Sequence, residues 1–313
     1  MRRVAAYHAS AMSRPLSLLT IHAHPDDETI STGGVMARYA AEGVRVVCLT
    51  SNLGEHGEIV VPELDTPENR ARLAEIRGEE LRRALARLGP IESRLLGYED
   101  SGMMDSADNA DPNAFWNADL EEAIGRTVRV VREVRPDVVI SYNDFGGYGH
   151  PDHIRAAQVA VAAYERAGDL SAYPGQLEDG LAPWAPAKLY ETVLNFAGRP
   201  GILQRVTERG IRAWWLPDPD EPPERRAERE AFMARMAAAS GPVTTRVDVA
   251  AFMERKRAAL EEHATQLHRD GVFLGLTVDD WRELAPTEDF SLRAARGLAE
   301  VRLPEDDLFA GLR

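Results

Sequence analysis

Short apolar runs alternate with stretches of helical periodicity through the first half of the chain. The runs have the length expected of buried strands, and they cover residues 18–23, 44–50, 91–96 and 138–142. Apolar positions at helical spacing predict helices over residues 33–42, 67–88, 120–135 and 151–167. Strands that alternate with helices predict an α/β fold, in which helices cover both faces of a mainly parallel sheet.

The pattern becomes weaker in the second half of the chain. Apolar runs predict strands at residues 188–194 and 243–249, and Asp248 is placed to cap a helix that runs toward His263. Residues 214–226 are rich in proline and acids, so they are expected to form an exposed excursion.

These patterns predict one large domain. We expect residues 1–15 to be a disordered leader and residues 16–313 to form a single domain. Its core is placed at residues 16–169, and residues 170–313 are expected to be a C-terminal extension that completes the pocket. An independent second domain is the alternative, although no clear linker precedes the extension.

Two short polar segments follow predicted strands about 120 residues apart. The first, at residues 22–28, has the sequence HAHPDDE, and the second, at residues 146–153, has the sequence GGYGHPDH. Both belong at the carboxyl ends of parallel strands, the edge at which open α/β sheets bind their ligands. A catalytic zinc site uses three protein ligands and keeps one position for water. We therefore expect His24, Asp27 and His153 to bind one metal ion.

The other polar groups of the two segments could supply what amide hydrolysis also needs. Asp26 lies beside a predicted metal ligand and is expected to act as the general base. The hydroxyl of Tyr148 and a protonated His150 are expected to stabilise the oxyanion, and His150 or Asp26 would return a proton to the leaving amine. Asp152 is expected to fix the orientation of His150, as carboxylates commonly do for imidazoles near metals.

The AHPDDE turn and the later HPDH segment resemble the LmbE-like (PIG-L) de-N-acetylase family of zinc amidohydrolases. The resemblance is closest to two enzyme types of mycothiol metabolism, the N-acetylglucosaminyl-inositol deacetylase and the mycothiol S-conjugate amidase. It implies a Rossmann-like fold, a Zn²⁺ cofactor with Fe²⁺ as an alternative, and hydrolysis of an N-acyl group on a glucosamine-type sugar. By position, His24, Asp27 and His153 match the family's zinc ligands, and Asp26 matches its general base.

The resemblance also implies substrate-binding residues. Arg77 in RGEEL and Asp100 in EDSGM resemble positions that hold sugar hydroxyls, although a solvated helix arginine and a loop-capping aspartate are the alternatives. The HATQ segment at residues 263–266 resembles the amidase branch, whereas Ser31 stands where that amidase has a lysine. The chain mixes both patterns, so the acyl group stays open. Another N-acetylglucosaminyl conjugate, of bacillithiol or antibiotic type, is a further alternative.

Composition limits the partners of the protein. The 313 residues carry a formal net charge of −14, which argues against nucleic acids and anionic membranes. A small N-acyl amino-sugar conjugate is the expected partner, and a homo-oligomer is left open. Cys48 is the single cysteine, so no internal disulfide can form and a cytoplasmic location is the default. No apolar run approaches the ~18 residues of a membrane span.

Several residues near the motifs have plainer interpretations. We expect His22 to be a packed core histidine and Glu28 to interact with the start of the helix that follows. His263 is expected to have a structural role or to line the pocket wall. The tryptophans at 214–215 are expected to pack the extension onto the core.

Three other functions fit parts of the sequence. Two histidines and a carboxylate also suit Fe(II), so a non-haem oxygenase is an alternative, but it leaves Asp26 and Tyr148 without roles. The glycines at 33–34 after the first strand suggest a dinucleotide-binding module, yet the G-x-G-x-x-G spacing is absent. A catalytically inactive sugar-binding protein is a third alternative, which nothing in the sequence favours.

Overall fold

The computed structural model describes residues 14–194, 199–211, 216 and 221–313. Its described residues form one seven-stranded sheet in the order β3-β2-β1-β4-β5-β7-β6. The strands are β1 (Ser17–His22), β2 (Arg45–Thr50), β3 (Ile91–Leu95), β4 (Val138–Ser141), β5 (Lys188–Val193), β6 (Thr245–Asp248) and β7 (Thr287–Ala295). The first five strands run parallel, and β7 is antiparallel to both β5 and β6. The α/β fold with a mainly parallel sheet is confirmed.

Helices cover both faces of this sheet. They are α1 (Asp27–Ala41), α2 (Pro67–Ala71), α3 (Leu73–Leu88), α4 (Leu120–Val134), α5 (Pro151–Arg166), α6 (Pro174–Glu178), α7 (Pro200–Glu208), α8 (Pro223–Ala239), α9 (Met253–Leu260), α10 (Val272–Gly275) and α11 (Val278–Leu284). Within the described ranges, no helix combines the length and the apolarity needed to cross a membrane.

The strand sequences explain the two layers. Side chains alternate between the faces of a strand, so Leu18 of β1 packs in a cluster with α1, α3 and α9, while Leu19 packs with α4 and α5 on the other side. Val46 and Val47 of β2 divide in the same way. Because both of their faces are buried, the central strands β1, β2 and β4 are largely apolar rather than alternating.

Helix α1 begins at Asp27, six residues before the start predicted at residue 33. Its first turn carries acids, which suit the positive end of a helix dipole. The glycine pair lies inside the helix, where the missing side chain of Gly34 lets Val249 and Glu288 approach the helix closely. A Cβ atom on Gly34 would lie 2.7 Å from the Cβ of Val249 and 2.8 Å from a carboxylate oxygen of Glu288. The glycines are therefore packing residues, and the prediction that they open the helix is wrong.

The C-terminal extension continues the sheet of the core, because β5 pairs in parallel with β4. The final segment also packs on α1, where the Tyr39 hydroxyl donates to Asp307 at 2.9 Å and accepts from the Leu308 backbone N–H at 2.9 Å. The predictions missed α6, α7, α8, α10, α11 and β7. The division into core and extension stays a prediction.

Some sequence predictions fall outside the described residues. Residues 1–13 of the expected leader and both tryptophans at 214–215 belong to this group. Arg14, near the end of that leader, donates to Asp137 at 2.6 Å. Cys48 is buried, and burial raises the pKa of its thiol.

A buried ion pair links the sheet to the final segment. Lys188 Nζ lies 2.6 Å from Glu305 Oε1, and the two side chains are 0% and 3% exposed. Tyr190 also donates to Glu305. We predict that Lys188→Ala lowers the free energy of unfolding by about 3–5 kcal/mol, because it leaves the Glu305 carboxylate buried without its cation.

Urea denaturation measures this loss. Arg82→Ala is the control, because Arg82 pairs with Glu79 on the surface, where both side chains are about half exposed or more. That variant is expected to lose less than ~1 kcal/mol. Equal losses in the two variants would contradict the buried pair.

Candidate metal centre and active site

The two motif segments meet because β1 and β4 are neighbours. Leu18 pairs with Val138 and Leu19 with Val139 in a parallel register. Both strands therefore end at one edge, and the turns that follow them converge. Beyond the strands, the Ala23 backbone N–H donates to the Tyr142 hydroxyl at 2.9 Å, which ties the turns together.

Three ligand atoms form a tight triangle at this edge. His24 Nδ1 lies 3.5 Å from Asp27 Oδ2, His153 Nε2 lies 3.3 Å from the same oxygen, and the two nitrogens are 3.3 Å apart. Ligands about 2.0–2.1 Å from a tetrahedral zinc ion would be separated by roughly 3.3–3.4 Å, which the triangle matches. These residues could hold a metal ion as the sequence predicts.

Hydrogen bonds orient both imidazoles for this task. His24 Nε2 lies 3.2 Å from Asp152 Oδ2, and His153 Nδ1 lies 3.1 Å from the Gly146 carbonyl oxygen. Each outer nitrogen must carry a proton to donate to these oxygens, so the inner nitrogen presents a lone pair to the centre of the triangle. The donor set therefore fits a metal in chemistry as well as in spacing.

Other residues also come close to His24. His150 joins His24 and His153 in one group of nearby ligand atoms, and Asp100 and Asp152 form another group with His24. The atoms of these groups lie within 4.8 Å of one another, a looser limit than the distances in the triangle with Asp27. We favour the triangle because its edges match a tetrahedral site.

Asp152 orients a different histidine from the one expected. Its carboxylate accepts from His24, from Asn52 Nδ2 at 2.8 Å and from the Ser101 backbone N–H at 3.0 Å. Only the backbone N–H of Asp152 contacts His150, by donating to His150 Nδ1 at 3.2 Å. The prediction that the Asp152 carboxylate orients His150 is wrong, because donors from Asn52 and Ser101 hold it against His24.

His150 caps α5 with its side chain, and its pKa is strongly lowered. Its pKa falls to about 2, mainly because of burial and secondly because of the nearby His24 and His153. Because Nδ1 accepts from the backbone, the neutral ring carries its proton on Nε2. A pKa this low favours a neutral imidazole, with Nε2–H as a donor, over the protonated His150 that the sequence predicts. The Tyr148 hydroxyl lies nearby, 3.5 Å from His153 Nε2.

Asp26 occupies a strained position between the strand and the helix. Its φ is 108°, a value that non-glycine residues rarely adopt. Burial raises the pKa of its carboxyl to about 7, and the Arg77 guanidinium, 3.6 Å away, works against that rise. The Asp26 backbone N–H donates to Glu28 at 2.9 Å. A carboxyl with this pKa can exchange protons near neutral pH.

His263, in the predicted C-terminal extension, supports the turn that carries Asp26 through a contact with Glu28. His263 Nε2 lies 2.9 Å from Glu28 Oε1, and both side chains are fully buried. Glu28 raises the pKa of His263 against the effect of burial, and His263 lowers that of Glu28. The interaction of Glu28 with the helix start and the structural interpretation of His263 agree with these contacts. His22 is buried as expected, and burial lowers its pKa to about 4.

The three predicted substrate residues lie in different surroundings. Arg77 is 4% exposed and donates to the Gly54 and Pro25 carbonyls at 2.9 and 2.7 Å, so it is not a solvated helix arginine. Asp100 is buried 3.5 Å from His24 Nε2. Ser31 instead donates to the Asp27 carbonyl at 2.6 Å and lines a separate cavity. Their contacts with substrate stay predictions.

Sequence reasoning missed several residues of the site. Asn52 and Ser101 bind Asp152, and Glu80 accepts from the backbone and hydroxyl of Thr265. Asn52 lies just after β2, at the same sheet edge as the motifs. The strand-end position that selected the two motifs could therefore have selected Asn52 as well.

Comparisons with known proteins agree with this geometry. A sequence model of the GlcNAc-PI de-N-acetylase (PIG-L) family matches residues 19–164. A protein of Geodermatophilus obscurus, named 1D-myo-inositol 2-acetamido-2-deoxy-alpha-D-glucopyranoside deacetylase, is 45% identical over 305 residues, which span 94% of this chain and 97% of that protein. The chain belongs to the PIG-L de-N-acetylase family. This membership confirms the expected enzyme class, a hydrolase of N-acetyl amide bonds.

Solved structures share the fold. The N,N'-diacetylchitobiose deacetylase of Pyrococcus horikoshii has a TM-score of 0.58 at 18% identity, covering 88% of this chain and 83% of that one. GalB, the 4-carboxy-2-hydroxymuconate hydratase of Pseudomonas putida, has a TM-score of 0.58 at 20% identity, covering 92% and 100%. One fold thus carries proteins named for different reactions, so the chemistry has to be argued from the site.

The loop beside Arg77 provides a test of how the turn is held. Gly54 has a φ of +68°, and a Cβ atom there would lie 1.8 Å from Arg77 Nη1. Gly97 has a φ of +80°, and a Cβ atom there would meet nothing within 4 Å. We predict that Gly54→Ala lowers the free energy of unfolding by roughly 1–3 kcal/mol more than Gly97→Ala, because only the first displaces the guanidinium.

Chemical denaturation of both variants checks this difference. The shared cost of a positive φ cancels in the comparison. Equal losses would mean that Arg77 does not hold the loop and the AHPDDE turn as the contacts indicate.

Proposed function

We propose that the protein is a zinc-dependent deacetylase that removes the acetyl group from an inositol-linked N-acetylglucosamine. The observation that carries this proposal is the match over nearly the full length to the Geodermatophilus obscurus deacetylase. Such a reaction requires a set of metal ligands and a group that exchanges protons near neutral pH. The triangle supports the first, and the Asp26 carboxyl, with a pKa of about 7, supports the second. The same match favours the deacetylase branch over the S-conjugate amidase branch.

In this proposal His24, Asp27 and His153 hold the metal. A bound zinc ion makes water easier to deprotonate and polarises the acetyl carbonyl. Two nitrogens and one carboxylate oxygen also suit iron. We propose zinc because the triangle has the spacing of a tetrahedral site. Because the family hydrolyses amides, the oxygenase and dinucleotide alternatives lose their support.

Asp26 is proposed to move the protons of the reaction. Its carboxylate accepts a proton from the attacking water and later delivers a proton to the sugar nitrogen as the C–N bond breaks. A pKa of about 7 suits both steps, since the group is then both a competent base and a competent acid. The strained backbone at Asp26 fixes the carboxyl beside the ligands.

His150 and Tyr148 are proposed to stabilise the negative charge. As the acetyl carbon becomes tetrahedral, its oxygen gains charge and needs donors that are already in place. The neutral His150 offers its Nε2–H, and Tyr148 offers its hydroxyl. Asp152 acts through His24, and Arg77 and Asp100 are proposed to contact the sugar in addition to their observed contacts. The cytoplasmic location and the oligomeric state stay predictions.

A paired assay tests the proposed substrate. The zinc-loaded protein is given N-acetylglucosaminyl-inositol or a mycothiol S-conjugate, and the released amine is measured. We expect the first substrate to be preferred. We also predict that Asp26→Ala keeps its metal but loses roughly 10²- to 10⁴-fold in kcat, because general-base help is removed.

Asp270→Ala, at a 71% exposed side chain, is the control and is expected to keep wild-type activity. Preference for the S-conjugate would contradict the proposed substrate. Full activity of Asp26→Ala would contradict the assignment of Asp26 as the general base.

Metal content tests the ligand triangle directly. We predict that His153→Ala, purified and exposed to limiting zinc, retains less than about a tenth of the wild-type metal, because one of three protein ligands is gone. His268→Ala is the matched control, since that imidazole is 55% exposed and lies outside the triangle. Elemental analysis of both variants gives the result, and equal zinc in the two would refute the triangle.

A further inference from the structure

The sheet ends on one side at β3, which is an open edge strand. In the sheet of the described residues β3 comes first in the strand order and pairs with β2 alone, and no isolated bridge reaches it. The last three residues of β3 are exposed, and Leu95 is 49% exposed although it is apolar. An open edge of this kind presents backbone N–H and C=O groups with which another strand can pair.

The pairing with β2 determines which residues of β3 face the open edge. Just after the strand, the Leu96 backbone N–H donates to the Thr50 carbonyl at 2.9 Å. Successive residues of a strand point their backbone groups to opposite edges, so the even-numbered residues of β3 face β2. The residues that turn their backbone groups outward are therefore Ile91, Ser93 and Leu95. Of these groups, the Ile91 N–H already donates to the Gly89 carbonyl.

The charged side chains of β3 lie symmetrically about Ser93. Glu92 and Arg94 share one face of the strand, because side chains alternate between the faces. The two side chains are 41% and 45% exposed, and Arg94 Nη2 lies 3.6 Å from Glu92 Oε2. Arg45 Nε lies 2.7 Å from Glu92 Oε1. One acid and one base thus stand at equal distances from the middle of the strand, on opposite sides of it.

We propose that β3 pairs with β3 of a second copy of this chain, antiparallel and about a two-fold axis at Ser93. The two seven-stranded sheets then join into one continuous sheet. The two Ser93 residues form a hydrogen-bonded pair, and Ile91 of each copy lies opposite Leu95 of the other. Glu92 of each copy lies opposite Arg94 of the other, in the positions without hydrogen bonds, where side chains approach most closely.

Charge selects this register over its neighbours. In an antiparallel pair the outward-facing residues of one strand pair with those of the other, which allows axes at Glu92, Ser93 or Arg94 with most of the strand overlapping. An axis at Glu92 places two carboxylates opposite each other, and an axis at Arg94 places two guanidinium groups opposite each other. Like charges directly opposite are destabilising, so the axis at Ser93 is favoured. This self-complementarity makes a second copy the partner that fits the edge.

The association is expected to be reversible. The net charge of −14 on each copy opposes it, whereas β3 carries one acid and one base and so has no net charge of its own. Physiological salt screens exposed charges that lie more than ~8 Å apart. A five-residue edge strand is short, so we expect an equilibrium between monomer and dimer rather than the large interface of a permanent dimer.

Sedimentation velocity of the full-length protein over a range of concentrations tests the proposal. The wild type should move from the 34.6 kDa of one chain toward twice that mass as its concentration rises. Glu92→Lys alone places a cation opposite Arg94 of the second copy, and Arg94→Glu alone places an acid opposite Glu92. Each variant by itself should raise the dissociation constant of the dimer on the order of tenfold or more, because two attractive pairs become repulsive.

An equimolar mixture of these two variants is the decisive measurement. In a mixed dimer the introduced cation faces the introduced acid, and the native Arg94 of one variant faces the native Glu92 of the other. We therefore expect the mixture to form dimers at concentrations at which each variant alone is monomeric. Mixing cannot repair a chain that has failed to fold, so recovery in the mixture reports the pairing itself.

A second pair of variants tests the backbone of the edge. Ser93→Pro removes an outward N–H that the proposed pair uses, and proline is tolerated in edge strands where the N–H faces solvent. Ser93→Ala is the matched control, because it keeps that N–H and removes only the hydroxyl. Ser93→Pro should remain monomeric, and Ser93→Ala should dimerise as the wild type does. Circular dichroism checks that both variants are folded.

Each result either supports or contradicts the interface. A wild type that stays monomeric at millimolar concentration, a mixture without recovery, or dimers of Ser93→Pro as stable as those of the wild type would overturn the proposal. Dimers that persist in all the variants would place the contact elsewhere on the molecule and would overturn it too. Mass is measured without substrate or turnover, so a failure here is distinct from a failure of the proposed deacetylation.

Discussion

The parallel pairing of β1 with β4 is the contact on which the site depends. The two motifs are separated by more than 100 residues of helix, strand and loop, and only this register brings their ends together. Tyr142 reinforces it, because its hydroxyl accepts from the Ala23 backbone and its ring stacks on His153 with 4.3 Å between the centroids. A slip in this register would separate the two histidines that present nitrogens to the metal position.

The site concentrates buried acids, and each depends on donors from elsewhere in the chain. A buried carboxylate is costly unless it is paired and hydrogen-bonded. Asp152 receives donors from the segments after β1, β2 and β3, and Glu28 receives His263 from the extension. His263, which is more than 200 residues away in the chain, thus supports the turn that carries Asp26, because without it the buried Glu28 would lose its charged partner.

The sequence predicted the parts of this arrangement that local rules govern. Apolar runs located β1, β2, β3 and β4, and the strand-end rule placed both motifs at one edge. The start of α1 was misplaced because glycine pairs commonly interrupt helices, whereas here Gly34 makes room for Val249 and Glu288, which are more than 200 residues away in the chain. No local pattern encodes such a contact.

The same limit explains the error at Asp152. An acid two residues from one histidine and 128 from another is assigned to the nearer by sequence reasoning, yet the sheet places it against His24. Strand β7 was not predicted from the sequence, for a related reason. Its residues 287–289 combine threonine and acids because they bind α1, Arg199 and Lys256, so the segment lacks the apolar signature of a strand.

At Asp26 the backbone conformation favours glycine, whereas the proposed chemistry needs a carboxyl group. A glycine would adopt a φ of 108° with little strain, whereas aspartate at such a backbone costs on the order of 1–3 kcal/mol. A glycine would also remove the only carboxyl of the turn whose pKa lies near neutrality. The fold is shared with a protein named as a hydratase, so the fold alone does not determine the reaction. The strain is best explained by the proposed chemistry, with Glu28, Arg77 and His263 holding the turn in a geometry that it would not adopt alone.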